Sequence, residues 1–303
     1  MNMKKLLAML LALAMALAAA ACTSAPAKEE PSAGAAAPAA QTGQAAVETA
    51  SAGKTSDAEP VVLIVFAAAS LTETLTAIAD RFMEQDPAVT VQFSFDSSGT
   101  LKTQIQEGAD CDVFISAGQK QMDQLDADTP ADANPDGLDL ILKGSRFNIL
   151  ENRVALVVPE DHEKDIRSFA DMAAGLKSGS ILLAMGNSDV PVGQYAQKIL
   201  RFYGLDEEAL AAAGCITYGS NVKEVAAQVC EAVVDCGIVY CTDAFAAGLT
   251  IADYASAEMC GQVVYPAAIL SGSKNIETAQ AFLDFCRTPE AAAIFAAAGF
   301  TAL

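Results

Sequence analysis

Phe66–Leu75 reads FAAASLTETL, and the parsing of this stretch decides the fold. Before it runs Val61–Phe66, apolar and β-branched, with the composition of a buried strand. After it Leu71, Leu75, Ile78 and Phe82 recur at three- and four-residue spacing, the period of one helix face. Ser70 stands at the seam. With Glu73 three residues on it forms an S-x-x-E pattern, which predicts Ser70 as the N-cap of a helix running to Gln85. A helix start exposes unpaired N–H groups and the positive end of the dipole, so this seam suits an anion. Taken alone, Ser70 need do no more than cap its helix.

The same alternation continues outward. Val89–Phe95 is a second strand, followed by Ser97-Ser98-Gly99-Thr100 and a helix to about Glu107. Asp112–Ser116 is a third strand with a short helix after it. Arg153–Pro159 reads as a strand at a crossing between lobes, and Gln262–Leu270 as the strand that returns. Between them lie strands at Ser180–Ala184, Cys215–Tyr218 and Gly237–Tyr240, with helices opened by Pro191, Asn221 and Thr242. Asn221 and Glu224 make a second cap-like box. Pro266 lacks an N–H and belongs at an edge or a bend. Two helices, Asn275–Cys286 and Pro289–Ala298, close the chain. Repeated β-α units predict an α/β protein whose sheets are mostly parallel and flanked by helices. In such sheets ligands bind beyond the carboxyl ends of the strands.

Composition narrows the setting. The first residues carry Lys4 and Lys5, then an apolar run to Ala21 ending in small residues before Cys22. That run is short for a membrane span and has the flanks of a secretory signal. LAAAAC resembles a bacterial lipobox, with Ala19 where Leu is usual; the resemblance implies lipidation at Cys22. Thr23–Glu59 has no aromatic residue and no Leu or Ile, so it reads as a disordered tether. The formal charge is −20, or −22 once the leader with its two Lys is removed. Such acidity argues against nucleic acid and anionic membrane surfaces as partners. Seven cysteines remain besides Cys22, without C-x-x-C and with a single His, His162, so zinc spacing is absent. They read as small buried thiols, with a pair among Cys215, Cys230, Cys236 and Cys241 as the rival. Asp110 and Asp112 flank Cys111; Asp112 opens a strand and Asp110 is solvated. His162, between two acids, belongs on the surface.

One property is shared by separate segments. Ser70, Ser98, Val192 and Val222 each fall at or beside a predicted helix start, and Tyr240 ends a strand. Two facing lobes would aim these helix starts into one cleft. Hydroxyls, backbone N–H groups and a phenol make a site that only donates. A fully ionised tetrahedral dianion accepts hydrogen bonds and gives none, so such a site selects it over phosphate, which still carries a proton much of the time.

From about Val61 to Phe300 the chain resembles the periplasmic molybdate-binding proteins of ABC transporters. The matching words are FAAASL at 66–71, DSSGTLKTQI at 96–105, DCDVFISA at 110–117, VPVGQYA at 190–196, GIVYCTDA at 237–244, YPAAIL at 265–270 and AAAIFAAAGF at 291–300. The resemblance implies a two-lobed periplasmic-binding-protein fold of type II with two crossing strands as hinge. It implies a leader over 1–21, a lipidated Cys and tether over 22–59, a first lobe from 60–154 plus 263–303, and a second from 155–262. It puts the oxyanion on the hydroxyls of Ser70 and Ser98, the backbone amides of Val192 and Val222, and the Tyr240 phenol. Val192 stands where many relatives have Ala, and the NVKE word around Val222 is the weakest match. The function implied is capture of molybdate, with tungstate beside it, by a monomeric lipoprotein that has no cofactor. The membrane is reached through the lipid alone, and the ligand passes to a membrane permease. Sulfate or another tetrahedral oxyanion is the alternative ligand. A secreted serine hydrolase using Ser70 or Ser98 is a third reading, against which stand the missing G-x-S-x-G and the lone His162.

Overall fold

In the computed structural model, residues 60–160 and 164–303 are described; the leader, Cys22, the tether and His162 lie outside the described residues. The described part opens with strand β1, Val61–Ala68, whose faces are both covered. Leu63, Val65 and Ala67 join the core that includes Leu71, Leu75 and Ile78. Phe66 points to the opposite face, with Leu101, Ile105, Phe114 and Met122. A strand buried on both sides is why the run is continuously apolar rather than alternating.

A one-turn 3-10 helix, Ala69–Leu71, follows and leads into α1, Thr72–Gln85. Next come β2 (Val89–Asp96), α2 (Ser98–Gln106), β3 (Val113–Ile115), α3 (Gln119–Asp123) and β4 (Phe147–Asn152). The second lobe holds β5 (Val154–Val158), α4 (Phe169–Ser178), β6 (Leu183–Gly186), α5 (Pro191–Phe202), α6 (Glu207–Ala212) and β7 (Ile216–Gly219). It continues with α7 (Val222–Cys230), β8 (Cys236–Tyr240), α8 (Cys241–Ala247), β9 (Thr250–Tyr254) and α9 (Ala257–Cys260). The chain then returns through β10 (Val263–Ile269), α10 (Ile276–Phe285), α11 (Pro289–Ala297) and β11 (Thr301–Ala302).

Among the described residues the strands form two sheets, one of six in the order β11-β4-β10-β3-β1-β2 and one of five in the order β7-β6-β8-β5-β9. The expected parallel pairing holds for β2-β1-β3 and for β7-β6-β8. The crossing strands add antiparallel neighbours, β10 beside β3 and β4, and β5 beside β8 and β9, so both sheets are mixed. The switch of sheet falls on the single residue Arg153, whose guanidinium lies 3.9 Å over the Tyr254 ring.

β10 is an interior strand, so Pro266 is not at an edge. It sits where the register with β4 shifts between Tyr265 and Pro266, a bulge that removes the need for its N–H. The alternation pattern does not announce β4 or β9. β4 mixes Asn and Glu with its apolar residues, and β9 is a half-exposed edge strand containing Ala and Asp. All seven described cysteines are free thiols. Five are buried, Cys111 is half-buried and Cys230 is exposed, so the rival pairing among Cys215, Cys230, Cys236 and Cys241 does not form. Asp112 accepts from the Ile64 N–H at 2.8 Å and the Ser273 hydroxyl at 2.6 Å, tying β1 to the loop after β10. Asp110 is exposed.

Candidate functional site

Ser98 opens α2 and is fully buried. The cap of that helix is the preceding Ser97, whose hydroxyl accepts the Thr100 N–H at 3.1 Å. With capping done by its neighbour, the Ser98 side chain is free to turn to the end of β3. There its Oγ accepts the Ala117 N–H at 2.9 Å. The carbonyl of the same Ala117 accepts the Tyr240 hydroxyl, at 3.3 Å, from the other lobe. Ser98 and Tyr240, 142 residues apart in the chain, thus meet on one residue. Tyr240 ends β8 and is 1% exposed; burial pushes its phenol well above the ordinary range, so it keeps its proton and donates.

Ser70 does not cap α1. It lies inside the 3-10 turn, and Leu71 occupies the cap position with no side-chain bond. The tighter turn carries Ser70 into the interior, where its Oγ is 3.0 Å from the Tyr265 hydroxyl. Glu73 accordingly has no cap to turn back to. Its carboxylate accepts from Lys223 Nζ of α7, at 2.7 and 2.9 Å, across the lobes. The second box does form around its cap. Asn221 Oδ1 accepts the Glu224 N–H at 3.1 Å, while Glu224 accepts from Ser220 N at 2.7 Å rather than from the cap itself. That backbone bond holds the Glu224 carboxyl below its usual range.

Val192 is the second residue of α5, behind Pro191, and Val222 is the first of α7; both are buried. N–H groups in a first helical turn have no partner within the helix. Helix α7 packs against the 3-10 turn that carries Ser70. The lobes also touch beside Ser98, where a Cβ on Gly99 would stand 2.2 Å from the Asp189 carbonyl oxygen. Only glycine lets α2 approach the loop before α5 this closely. Gln121 Nε2 donates to the same carbonyl at 3.5 Å.

The structure therefore joins Ser98 and Tyr240 through the Ala117 backbone. It connects Ser70 to them through Tyr265, whose ring centroid is 5.8 Å from that of Tyr240. Val192 and Val222 stand in the first turns of α5 and α7. Four further polar or phenolic residues are buried around these and are not singled out by the sequence: Asn152, Thr242, Asp243 and Tyr265. Asn152 donates to Thr242 Oγ1 at 3.0 Å and to Tyr265 Oη at 3.1 Å. Asp243 is 2% exposed, and neither carboxylate oxygen has a hydrogen-bond partner among the described residues. Lys223 Nζ is 3.9 Å away, and burial, against that charge, pushes the Asp243 pKa up to about 7. Tyr265 lies within the YPAAIL word, where a phenol next to Pro266 on a returning strand is the available signal.

The chain is 35% identical over 244 residues to the molybdate-binding protein ModA of Escherichia coli (strain K12), covering 79% of this chain and 88% of that one. It is 32% identical over 244 residues to the molybdate-binding protein ModA of Haemophilus influenzae, covering 78% and 89%. The structure matches the periplasmic molybdate-binding protein of Azotobacter vinelandii with a TM-score of 0.65 at 27% identity, over 79% of this chain and 98% of that one. A family model described as bacterial extracellular solute-binding protein matches residues 63–301, and the chain belongs to that family.

Proposed function

We propose that this solute-binding protein captures molybdate, with tungstate as a close competitor, and delivers it to an ABC permease. The carrying observation is the meeting of Ser98 and Tyr240, one hydroxyl from each lobe, on Ala117. An anion between the lobes would take hydrogen bonds from Ser70, Ser98 and the Val192 and Val222 amides, and from Tyr240 once its hydroxyl turns from the Ala117 carbonyl to the ion. None of these five is a cation, so recognition rests on dipoles placed at short range, where the acidic surface of the molecule matters least. Bonds of this charge-assisted kind contribute about 1.5–3 kcal/mol each, and several together support micromolar or tighter binding after the costs of association and closure. The relatives named for molybdate match this chain over most of their length. Lipidation at Cys22 and the tether would hold a monomer near its permease.

Calorimetry with molybdate, tungstate, sulfate and phosphate side by side tests the ligand. Molybdate is expected to bind and phosphate to be refused; tight sulfate binding with no molybdate heat would overturn the choice. In Tyr240→Phe the loss expected is about 1–3 kcal/mol of binding, because only the hydroxyl is removed. Unchanged molybdate affinity in that variant would remove Tyr240 from the site.

A further inference from the structure

We propose that Asn152 fixes the direction of the hydrogen bond at Ser70 and thereby decides which oxyanions the cleft accepts. It is a positioning residue acting through Tyr265, and the inference rests on the oxyanion reading given above. Asn152 ends β4, one residue before the chain changes sheet, and is buried. Its Oδ1 accepts the Arg153 N–H at 2.8 Å and the Cys241 thiol at 3.2 Å. A backbone N–H can only donate, so this edge of the amide is the oxygen and the other is the NH2. Those two protons go to Thr242 Oγ1 and Tyr265 Oη. Tyr265 Oη therefore accepts from Asn152, and its own proton has Ser70 Oγ as partner at 3.0 Å. Burial, with Asp243 nearby, keeps this phenol protonated. Ser70 Oγ accepts, and its single proton must leave in another direction.

Toward the cleft, then, Ser70 gives a hydrogen bond and does not receive one from an anion. Ser98 reaches the same polarity by a shorter route, because its Oγ already accepts the Ala117 N–H. Each serine thus aims its proton at the bound ion and keeps one lone pair, so the P–OH of hydrogen phosphate meets donors where it needs acceptors. A fully ionised dianion needs only donors. The route at Ser98 runs through backbone and cannot be edited by substitution. The route at Ser70 runs through two side chains and can.

Asn152→Asp is close to Asn in shape and keeps the acceptor for Arg153, yet reverses the relay. The carboxylate accepts from Tyr265, Tyr265 accepts from Ser70, and a Ser70 lone pair faces the cleft. Molybdate binding is measured by calorimetry at pH 7.5, with phosphate as competitor, in the wild type, Asn152→Asp, Tyr265→Phe and the double variant. The readout is the ratio of the phosphate Kd to the molybdate Kd, in which repulsion from the new charge largely cancels between two dianions. It is expected to fall at least roughly tenfold in Asn152→Asp. In the Tyr265→Phe background the same substitution should change it less than about twofold, because the relay is already cut. If Asn152→Asp does not fold, Asn152→Ala replaces it: Tyr265 and Ser70 can then exchange donor and acceptor roles, and the ratio still falls only while the Tyr265 hydroxyl is present. A folded Asn152 variant with the wild-type ratio overturns the proposal, as does an equal fall with Phe at 265. A wild-type protein that binds none of these ions overturns the oxyanion reading itself.

Discussion

The lobes meet along two seams of opposite character. Beside Ser98 the contact is neutral: the Gly99 backbone lies against the Asp189 carbonyl, Gln121 donates to that carbonyl, and Tyr240 donates to Ala117. Beside Ser70 the contact is ionic: Glu73 of the first lobe pairs with Lys223 of the second, over the buried Asp243. The neutral seam depends on fit to a fraction of an ångström and is indifferent to salt. The ionic seam tolerates displacement but answers to pH and ionic strength. Both lean on one closed arrangement, so each can be altered while the other reports.

Asp243 offers the largest expected effect. Its folded pKa of about 7 exceeds the unfolded value near 3.9, so the folded protein holds this proton more tightly. The stability it contributes is fully present below pH 4 and is lost as pH rises to 7. Asp243→Asn should abolish that fall, on the order of 4 kcal/mol between those limits, in urea titrations across pH. A wild type equally stable at pH 4 and pH 8, after other groups are matched by the variant, would contradict the burial argument.

Gly99→Val attacks the neutral seam. The side chain would collide with the Asp189 carbonyl, and the lobes would have to part. A loss of about 3 kcal/mol in binding, roughly a hundredfold in Kd, is expected by calorimetry. The melting of the unliganded protein should barely change, since an open form relieves the clash.

Comparing Ser98→Ala with Ser70→Ala sharpens the contrast further. The first leaves the Ala117 N–H buried without an acceptor, a cost of about 1–3 kcal/mol in stability. The second leaves the Tyr265 hydroxyl, which can rotate, so its cost should be nearer 1 kcal/mol. Urea unfolding that ranks them the other way would mean that Ser70 is the more firmly held. The smallest effect belongs to Lys223→Gln. The half-exposed pair with Glu73 should contribute less than about 1 kcal/mol to binding, and the Kd should respond to salt between about 0.01 and 1 M differently in the variant and the wild type.

Local pattern carried much of this molecule into view. β1, α1, β2 and the strand at 237–240 are legible because buried apolar runs and three-four spacing leave little choice. Asn221 was legible as a cap because capping is a contact over three residues. Ser70 shows where this stops. Its S-x-x-E pattern is genuine, but Tyr265 and Lys223 supply better partners 195 and 150 positions from Ser70 and Glu73. Asn152 and Asp243 were unreadable for the same reason: their significance lies in what long-range folding puts beside them. Pro266 was half legible, since a missing N–H predicts an irregularity but not that a bulge will house it within an interior strand.

The order of the strands has a bearing on how the molecule is made. The five-stranded sheet comes from one unbroken run between residues 154 and 254, whereas the six-stranded sheet awaits β10, its bridge between β3 and β4. During synthesis the second lobe has all its strands before the first can complete its own. Until residue 269 arrives, β3 and β4 present unpaired edges, the surfaces most prone to pairing with another chain. Slowing synthesis between β9 and the end of β10 should thus raise aggregation more than an equal delay at any point inside the second lobe.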